Sequence, residues 1–422
     1  LYMRLLVIMP DVPYPPRENG FTIRYYPIID YLSLRHDVDL VSITVRSGIE
    51  DEIEYMRRRL NRLCIIDQSS KCVQSPWRKI FTRVRSWFPW SAPLEFVHYE
   101  ADEHISRIKA FAGNVGYDAV IWVTSSHADY IRRLKPAIKS KRWVIDFVDS
   151  PSLFSSRKRG GILLRYEKWH TLLWEAGLVR AADVPVYISP VDARTVPRAL
   201  TGGKVPHVIP NGIYVDDYVE DRLDSVSPLS IGFLGNMGYQ PNIQAALKLY
   251  EQIYLPLRKK LPELELYIIG RSPAEEVKAL GKEKFIHVTG TVANIWPYVN
   301  SVSIFVLPLD AGAGQQNKIL EVMYAGRPVI ASRISNGGIG AVHGQQILVC
   351  GENSAEWITS AYELLTEREK AERLGQAGRR FAIRQYVWPA ICSEYESLFS
   401  DNRVASPQKL KTVSPVQERR NP

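Results

Sequence analysis

The sequence feature that most constrains the fold is a repeated alternation of short apolar runs with longer amphipathic or polar segments. Short apolar runs of this kind are typical of parallel strands that are buried on both faces, and the segments between them can form crossover helices. The pattern predicts a doubly wound α/β sheet whose ligands bind at the carboxyl ends of the strands. In the first half of the chain, the predicted strands are residues 3–9, 37–43, 62–66, 118–123, 142–147 and 184–188.

The same pattern begins again after a short link at residues 205–218. A chain of 422 residues is too long for one ordinary hydrophobic core, and a hydrophobic content of 45% is sufficient for two. We therefore predict two similar Rossmann-like domains that face one cleft. The predicted strands of the second half are residues 229–234, 264–269, 285–289, 302–307, 327–331 and 345–349.

The composition favours a globular protein with an anionic partner. The net charge of +9 is compatible with phosphorylated substrates, anionic lipid or nucleic acid. The four cysteines are widely spaced without a C-x-x-C pair, so we expect neither a disulfide framework nor a zinc site. No apolar run approaches the ~20 residues that cross a bilayer, and the N-terminal run is too short for a signal peptide. These features lead us to expect a protein of the reducing cytoplasm.

One stretch in the second half combines the features of an anion site. Residues 305–332, FVLPLDAGAGQQNKILEVMYAGRPVIAS, run from a predicted strand through a glycine-containing loop into a helix with Lys318 and Glu321. A helix N-terminus favours negative charge, and the spacing places both side chains on one helix face. A cation and a carboxylate at one cleft suit a nucleotide sugar, which carries phosphates and hydroxyls. The alternative is a solvated helix pair that contributes only roughly 0.3 kcal/mol.

A second candidate anion site follows the first predicted strand of the second half. The sequence GFLGNMGYQPNIQAAL places Gly235 and Gly238 in a loop and Pro241 in the first turn of a helix. This loop matches neither G-x-x-x-x-G-K-[ST] nor G-x-G-x-x-G. A P-loop ATPase and a dinucleotide-binding dehydrogenase are therefore both disfavoured.

Polar residues also follow predicted strands of the first half. Asn19 and Gly20 end a proline-rich loop before a helix that includes Arg24, and this loop is either a close approach to the cleft or a plain turn. His127 and Asp149 follow the strands that end near residues 123 and 147. An aspartate there can orient an acceptor hydroxyl or take its proton, whereas the alternative is a loop capped by the neighbouring serines. No G-x-S-x-G motif is present, which disfavours a serine hydrolase.

Residues 71–90, KCVQSPWRKIFTRVRSWFPW, interleave basic and aromatic side chains at helical spacing. Such a helix has one apolar and one cationic face, as expected for a helix that lies on an anionic membrane surface. The alternative is a surface helix whose apolar face packs on its own domain. Nucleic-acid binding is disfavoured because no nucleic-acid-binding motif accompanies the segment.

Together, these segments resemble glycosyltransferase family 4, which has the GT-B fold, over the chain to about residue 400. Within that family the sequence is most similar to the subgroup of exosortase and exopolysaccharide gene clusters, through G-x-M-x-Y-x-P-N at 235–242 and G-x-Q-N-K-x-L-E at 314–321. Besides the Gly20 loop, the matching motifs are YISPVDA (187–193), VIPNGIYVDDY (208–218), IGFLGNMGYQPN (231–242), LYIIGRSP (266–273) and KILEVMYAGRPVIAS (318–332).

The resemblance implies roles for residues of the donor side. Glu321 takes the second acidic position of the family's E-x7-E motif, which holds the donor ribose, whereas Ala313 replaces the first glutamate. The Arg and Lys pair that grips the diphosphate is replaced by Asn236 and Asn242, and we expect Lys318 to supply the positive charge. The predicted donor-binding residues are Gly235, Asn236, Asn242, Arg271, Gly314, Gln315, Gln316, Asn317, Lys318 and Glu321.

The resemblance also implies an acceptor side and a domain layout. Asn19, Gly20 and Arg24 are the predicted acceptor contacts, and Asp149, His127 and Lys318 are the predicted catalytic residues. The expected layout is an acceptor domain at 1–205, a donor domain at 206–384, a helix at 385–400 that crosses back to the first domain, and a disordered basic tail at 401–422.

The implied activity is retaining transfer of a sugar from a nucleotide-diphosphate donor to a glycan or lipid-linked acceptor, in exopolysaccharide or cell-surface polysaccharide biosynthesis. No cofactor and no metal are expected. The expected partners are the nucleotide sugar, the acceptor and an anionic membrane surface through residues 71–90, but not nucleic acid, at the inner face of the plasma membrane. The alternatives are an inactive scaffold of the same fold and another GT-B reaction such as nucleotide-sugar epimerisation.

Overall fold

The first half of the chain forms an open parallel sheet in the computed structural model, which describes residues 2–68, 88, 91–93, 101–124, 130–157, 161–215, 218–223, 227–310 and 315–399. The elements of this half are β1 (Arg4–Met9), α1 (Gly20–Ser33), β2 (Asp37–Thr44), α2 (Glu50–Arg57), β3 (Arg62–Asp67), α3 (Ala101–Ala112), β4 (Tyr117–Thr124), α4 (Ile131–Leu134), β5 (Ser140–Phe147), α5 (Pro151–Arg157), α6 (Ile162–Ala181), β6 (Val184–Tyr187), α7 (Pro190–Thr195) and β7 (His207–Val208). The seven strands have the order β3-β2-β1-β4-β5-β6-β7.

Hydrophobic side chains cover both faces of this sheet. Because successive side chains of a strand point to opposite faces, Leu5 and Val7 pack with Ile28 of α1, whereas Leu6 packs with Trp174 of α6 on the other face. This two-sided burial is the reason that the strands read as uninterrupted apolar runs.

The second half forms another parallel sheet. Its six strands have the order β10-β9-β8-β11-β12-β13 and enclose one large hydrophobic core with their helices. A π-helical segment, Leu249–Tyr254, joins α8 to α9. The elements are β8 (Ser230–Leu234), α8 (Gln240–Lys248), α9 (Leu255–Arg258), β9 (Glu265–Ile269), α10 (Glu275–Leu280), β10 (Ile286–Val288), α11 (Trp296–Ser301), β11 (Ile304–Leu307), α12 (Asn317–Tyr324), β12 (Val329–Ser332), α13 (Arg333–Gly337), β13 (Leu348–Cys350), α14 (Ser354–Thr366), α15 (Arg368–Tyr386) and α16 (Trp388–Ser397).

The predicted fold class, two doubly wound α/β domains, is confirmed, and every predicted strand is present with small shifts at its ends. One strand was missed. The short strand β7 pairs in parallel with β6, so the first sheet extends to Val208, beyond the predicted boundary at 205. A strand of two residues is too short to produce a recognisable apolar run.

The chain passes between the two domains twice, once near Ile213 and once near Tyr386. The two connecting segments are hydrogen-bonded to each other. The Ile213 N–H donates to the Tyr386 carbonyl oxygen at 2.7 Å, and Ile213 forms a parallel bridge with Val387. A side chain at Gly212 would lie 2.5 Å from the Trp388 ring, so only glycine permits this approach. After the second crossing, α16 packs on the first domain and places Trp388 and Tyr395 in its core.

In the described ranges, no helix combines the length and the apolar character that a membrane crossing requires.

Candidate active site

A cleft of about 450 Å³ lies between the two domains. The first domain contributes Arg17 and Ile23 to its lining, and the first crossing contributes residues 212–214. The second domain contributes residues 293–296 together with Asn317 and Glu321 of α12. The cleft therefore opens at the carboxyl end of the second sheet, where a doubly wound domain is expected to bind its ligand.

The loop after β8 is built from close backbone contacts. The Gly235 N–H donates to the Ile269 carbonyl oxygen at 3.0 Å, and the Met237 N–H donates to the Arg271 carbonyl oxygen at 2.9 Å. Gly270 has a φ of +148°, and a side chain there would lie 1.7 Å from the Gly235 carbonyl oxygen. The loop thus rests directly on the end of β9, and Arg271, two residues after that strand, is exposed.

Lys318 lies against this loop. Its Nζ donates to Asn242 Oδ1, and Asn242 Nδ2 donates to the Asn236 carbonyl oxygen at 2.9 Å. A Cβ at Gly235 would lie 3.4 Å from Lys318 Nζ, so glycine leaves room for the ammonium group. Asn242, which is 5% exposed, therefore positions the cation as well as the loop. The predicted donor residues Gly235, Asn236, Asn242 and Lys318 are brought together.

The charge state of Lys318 is set mainly by burial. Desolvation lowers its pKa to about 8, and the Glu321 carboxylate opposes this shift. Among the described residues, no carboxylate oxygen forms an ion pair with Lys318 Nζ within 4.0 Å. A partly buried cation without such a carboxylate partner is suited to an anionic ligand.

Glu321 lines the cleft one helical turn beyond Lys318. Burial raises the pKa of its carboxyl, and the positive charges of Lys318 and Arg17 oppose this shift. Arg17 comes from the first domain, has a left-handed backbone with a φ of 68°, and holds its guanidinium carbon 4.0 Å from the centre of the Tyr214 ring. The cleft thus receives positive charge from Arg17 of the first domain.

The N-terminus of α12 offers hydrogen-bonding groups to a ligand. Gln316 is the N-cap residue, and within the described part of the chain its side chain forms no capping hydrogen bond. Asn317, the first helical residue, lines the cleft, and its buried Oδ1 has no hydrogen-bond partner among the residues that the structure describes. A buried acceptor without a partner is unfavourable unless a ligand or solvent supplies a donor.

Gln315 faces the domain junction instead of the cleft. Its Oε1 accepts from the Asn211 N–H at 2.8 Å, and its Nε2 donates to the Asn211 carbonyl oxygen at 2.7 Å. The side-chain amide is therefore engaged by the backbone of the first crossing. This pairing fixes the entrance to α12 relative to the junction, and the predicted donor contact of Gln315 has to be replaced by a positioning role.

Arg24 is likewise a junction residue. It is 1% exposed, so it does not reach an acceptor surface. Its Nη2 donates to both carboxylate oxygens of Asp146, and its Nη1 donates to Asn211 Oδ1 at 3.0 Å and to the carbonyl oxygens of residues 209 and 210. A fully desolvated guanidinium requires such partners, which explains why this arginine points inward.

Asn19 and Gly20 form the start of α1. The Asn19 side chain accepts from the N–H groups of Phe21 and Thr22, and Thr22 completes a capping box. Both residues are exposed, and a Cβ at Gly20 would meet no atom within 4 Å. The local geometry is that of a helix cap, and the acceptor role of these residues stays a prediction.

Asp149 is exposed at the carboxyl edge of the first sheet, directly after β5. The loop behind it is held by Glu175, whose carboxylate accepts from Ser150 Oγ at 3.1 Å and from the Ser152 N–H at 2.8 Å. Ser150 Oγ also accepts from the Leu153 N–H at 3.1 Å. Ser150 therefore supplies the capping that the alternative interpretation expected, while the acceptor role of Asp149 stays a prediction.

Some predictions concern residues outside the described ranges. His127, Gly314, the replaced position Ala313, the tail 401–422 and almost all of the segment 71–90 lie there. Within the described ranges, no group of three or more His, Cys, Asp or Glu residues could hold a metal ion.

The structure adds residues that sequence reasoning did not single out. Arg17, Tyr214, Asn294 and Trp296 line the cleft, and Asn211 organises the junction. The Asn294 side chain accepts from the Trp296 N–H at 2.9 Å and so fixes the start of α11. The available signals were a basic residue in the loop before Gly20 and the N-G pair at residues 211–212. Neither signal indicates the partner across the cleft.

Comparison with known proteins identifies relatives of the second domain and of the whole fold. Residues 228–367 match the family model described as "Glycosyl transferases group 1". A protein of Klebsiella pneumoniae, named "Uncharacterized 44.6 kDa protein in cps region", is 22% identical over 367 residues, which cover 83% of this chain and 88% of that protein.

Two solved structures share the two-domain architecture. Sucrose-phosphate synthase from Thermosynechococcus elongatus superposes with a TM-score of 0.64 at 13% identity, covering 94% of this chain and 98% of that chain. Anabaena Alr3699/HepE in complex with UDP-glucose superposes with a TM-score of 0.58 at 15% identity, covering 93% of this chain and 99% of that chain. At such identities the likeness establishes the fold, which is the GT-B arrangement of both proteins.

Proposed function

We propose that this chain, whose residues 228–367 match the model of glycosyl transferases group 1 and whose fold is GT-B, is a retaining glycosyltransferase. It would move a sugar from a nucleotide-diphosphate donor to a glycan or lipid-linked acceptor. The observation that carries the proposal is the position of Lys318. Its ammonium group lies where the Gly235 loop meets the N-terminus of α12, one helical turn from the Glu321 carboxylate.

The chemistry of transfer accounts for this arrangement. Cleavage of the bond between the anomeric carbon and the phosphate oxygen leaves negative charge on the departing diphosphate. A positioned cation and the N–H groups of a helix N-terminus stabilise that charge more in the transition state than in the ground state. In this site Lys318 and the N–H groups in the first turn of α12 bind the diphosphate, and Glu321 accepts hydrogen bonds from the ribose hydroxyls. Arg17 adds positive charge from the opposite wall.

The class of donor and the biological setting are supported by the relatives. The HepE structure holds UDP-glucose, and the Klebsiella relative is named for a cps region. We infer that this protein also takes a nucleotide sugar and contributes to an exopolysaccharide or other cell-surface polysaccharide. On the acceptor side, Asp149 and His127 are our candidates for orienting the attacking hydroxyl, and Asp149 is exposed directly after β5.

A nucleotide-sugar screen tests the proposal. The purified chain is incubated with a panel of nucleotide sugars, thermal unfolding reports binding, and released nucleoside diphosphate reports turnover. We expect one donor class to raise the unfolding temperature and to be turned over.

Glu321→Ala should weaken nucleotide binding by roughly 1.5–3 kcal/mol, because hydrogen bonds to a charged group are lost. The exposed Glu276→Ala, on α10, is the matched control and should bind like the parent.

Other outcomes would point to the alternatives. Binding without turnover of any donor would indicate an inactive scaffold, in keeping with Ala313 at the position of the family's first glutamate. Conversion of a nucleotide sugar into its epimer without an acceptor would indicate epimerisation. Unchanged nucleotide affinity in Glu321→Ala would remove Glu321 from the ribose role.

A further inference from the structure

Arg17 has an unusual backbone for a residue that carries a side chain. Its φ of 68° lies in the left-handed region, which glycine occupies readily and other residues occupy at an energetic cost. Glycine would therefore be the expected residue at this position of the loop between β1 and α1. Strained positions of this kind are concentrated at ligand sites, where the surrounding structure holds them in place.

The residues that follow Arg17 are anchored outside the cleft. The Glu18 carboxylate lies 3.4 Å from Arg46 Nη2, and the Asp11 carboxylate lies 3.8 Å from Arg46 Nη1. The Asn19 side chain caps the N-terminus of α1. A relaxed backbone at Arg17 would move these anchored residues, so the left-handed conformation is held by its neighbours. The same contacts engage the nearby carboxylates of Asp11 and Glu18 with another arginine.

The Arg17 side chain is held over an aromatic ring in the cleft. It belongs to the lining of the cleft, and its guanidinium carbon lies 4.0 Å from the centre of the Tyr214 ring. The Tyr214 hydroxyl donates to the Ile23 carbonyl oxygen at 3.2 Å, and its ring packs edge-on against Trp388 with 5.9 Å between the ring centres. The surface on which the guanidinium stacks is thus itself fixed by two contacts.

Glu321 faces Arg17 from the second domain. These two are the charged residues in the described lining of the cleft. The positive charge of Arg17 opposes the rise that burial causes in the pKa of the Glu321 carboxyl. The two described side chains form no ion pair within 4.0 Å, so a ligand group can lie between them. The cleft therefore has an anion-binding group on one wall and a carboxylate that accepts hydrogen bonds on the other.

A guanidinium group is suited to one part of the proposed donor in particular. Its planar fork of N–H groups matches the oxygens of a phosphate. In the loop after β8, Asn236 and Asn242 are neutral, and Lys318 is the cation that lies against this loop. A nucleoside diphosphate carries more than one negative charge, which a single ammonium group balances only in part.

We propose that Arg17 binds the donor diphosphate from the side of the first domain, so that cations of both domains stabilise the charge of the leaving nucleotide. This inference rests on the proposed function, because it concerns the same donor. It adds a phosphate-binding residue that belongs to the first domain.

Equilibrium titration of the full chain tests this inference. The ligands are UDP, GDP, ADP and CDP, the corresponding nucleosides, and inorganic diphosphate, which needs no base-binding pocket. We expect Arg17→Gln to lower the affinity for the nucleoside diphosphate that the parent binds, and for inorganic diphosphate, by about tenfold or more, because a charge-assisted hydrogen bond is lost. The affinity for the nucleoside should change by less than about twofold.

Two further variants are matched to this one. Arg17→Lys keeps the charge without the planar fork and should retain part of the affinity for diphosphate. Arg35→Gln is the control, because Arg35 is exposed at the other end of α1 and its guanidinium carbon lies 3.8 Å from the centre of the Tyr31 ring. This control removes an arginine from a tyrosine ring outside the cleft, and it should bind every ligand like the parent.

Glycine at position 17 separates a role in binding from a role in folding. Glycine adopts a φ of 68° without the steric cost, so Arg17→Gly should unfold at a temperature no lower than that of the parent. The same variant should lose affinity for inorganic diphosphate as Arg17→Gln does. A residue that serves only the fold would lower the unfolding temperature without this selective loss.

Two results would overturn the inference. One is equal affinity of the parent and Arg17→Gln for the nucleoside diphosphate, with turnover of the donor intact, and this result would leave the proposed transfer reaction standing. The other is an equal loss of affinity for nucleoside and nucleoside diphosphate together with a lower unfolding temperature of Arg17→Gly. Arg17 would then be an anchor of its loop, for which Asp216 and Asp217, outside the described residues, are the carboxylates that follow Tyr214 in the sequence. A parent that binds none of the ligands would contradict the proposed function and this inference together.

Discussion

Lys318 is a residue whose chemistry depends strongly on its surroundings. An ordinary lysine has a pKa of 10.5, but burial lowers the pKa of Lys318 to about 8. The ammonium group is therefore present below pH 8 and lost above it. Because the folded state binds this proton less strongly than the unfolded chain does, the same group makes stability rise with pH between 8 and 10.5. Activity and stability are thus expected to respond to alkaline pH in opposite directions.

The pH dependence of kcat/KM provides a direct measurement. We expect kcat/KM of the parent to fall as the pH rises through about 8, because kcat/KM reports the ionisation of the free enzyme. In Lys318→Arg, the guanidinium stays charged over this range, so the alkaline fall should disappear even if the maximum is lower. A parent profile that stays flat up to pH 10 would contradict the assignment of the cation to Lys318.

At the same scale, sequence reasoning relates residues whose partners are near in the chain. Lys318 and Glu321 share a helix turn, and the motif around them indicates their side of the cleft. It failed for Arg24 and Gln315, which engage Asn211 across many intervening residues. Nothing in a local pattern distinguishes an arginine that reaches a substrate from one that binds a buried aspartate, because the choice depends on the packing of distant segments.

At the scale of elements, the entrance to α12 is tied to the first crossing between domains. The Gln315 amide satisfies both the N–H and the carbonyl group of Asn211. This bidentate pairing connects the helix that carries Lys318 and Glu321 to the chain segment that leaves the first domain. The orientation of the donor residues therefore depends on a contact outside the cleft.

The adjacent glutamines allow a matched test of this contact. Gln315→Ala should lower the free energy of unfolding by about 1–3 kcal/mol, because two backbone groups lose their partner, and kcat should fall more than nucleotide affinity. Gln316→Ala, whose side chain does not cap α12, should stay within about 0.5 kcal/mol of the parent. Urea unfolding and single-turnover kinetics measure the two effects. Equal stability of the two variants would show that the pairing with Asn211 contributes nothing.

The elements themselves were predictable because a strand buried on both faces must be apolar at every position. Strand β1 illustrates this, since Leu5 and Leu6 enter different cores. The exposed apolar residues of α6 were not predictable in the same way. In the sequence, Leu163 and Trp169 look like buried apolar residues of an amphipathic helix. Only the structure shows that the buried part of α6 begins at His170.

At the scale of the whole molecule, one buried network joins the first domain, the junction and α16. Asp146 accepts from Arg24 Nη2 at 3.0 Å and from the Tyr395 hydroxyl at 3.0 Å, and Arg24 also holds Asn211. Nearby, Glu396 contacts His36 Nε2 at 2.8 Å and accepts from the Tyr31 hydroxyl at 2.9 Å. These contacts fasten the C-terminal helix to α1 and to the start of β2.

Replacement of Arg24 tests this network. Arg24→Met should lower stability by about 3–5 kcal/mol, because the Asp146 carboxylate would remain buried without its cation. Arg24→Met/Asp146→Leu should recover part of this loss, since no unpaired charge is left. Urea unfolding with tryptophan fluorescence measures both variants. If the free energy of unfolding of Arg24→Met lay within about 1 kcal/mol of that of the parent, the structural role of Arg24 would be contradicted.

The return of α16 to the first domain has a consequence for the order in which the chain folds. Trp388, Ile391 and Tyr395 belong to the core formed with β1 and α1, so the second domain is an insertion within the sequence of the first. During synthesis, the ribosome completes every strand of the second domain before it makes α16. The first domain therefore cannot complete its core until α16 has been synthesised. The second domain can finish folding earlier.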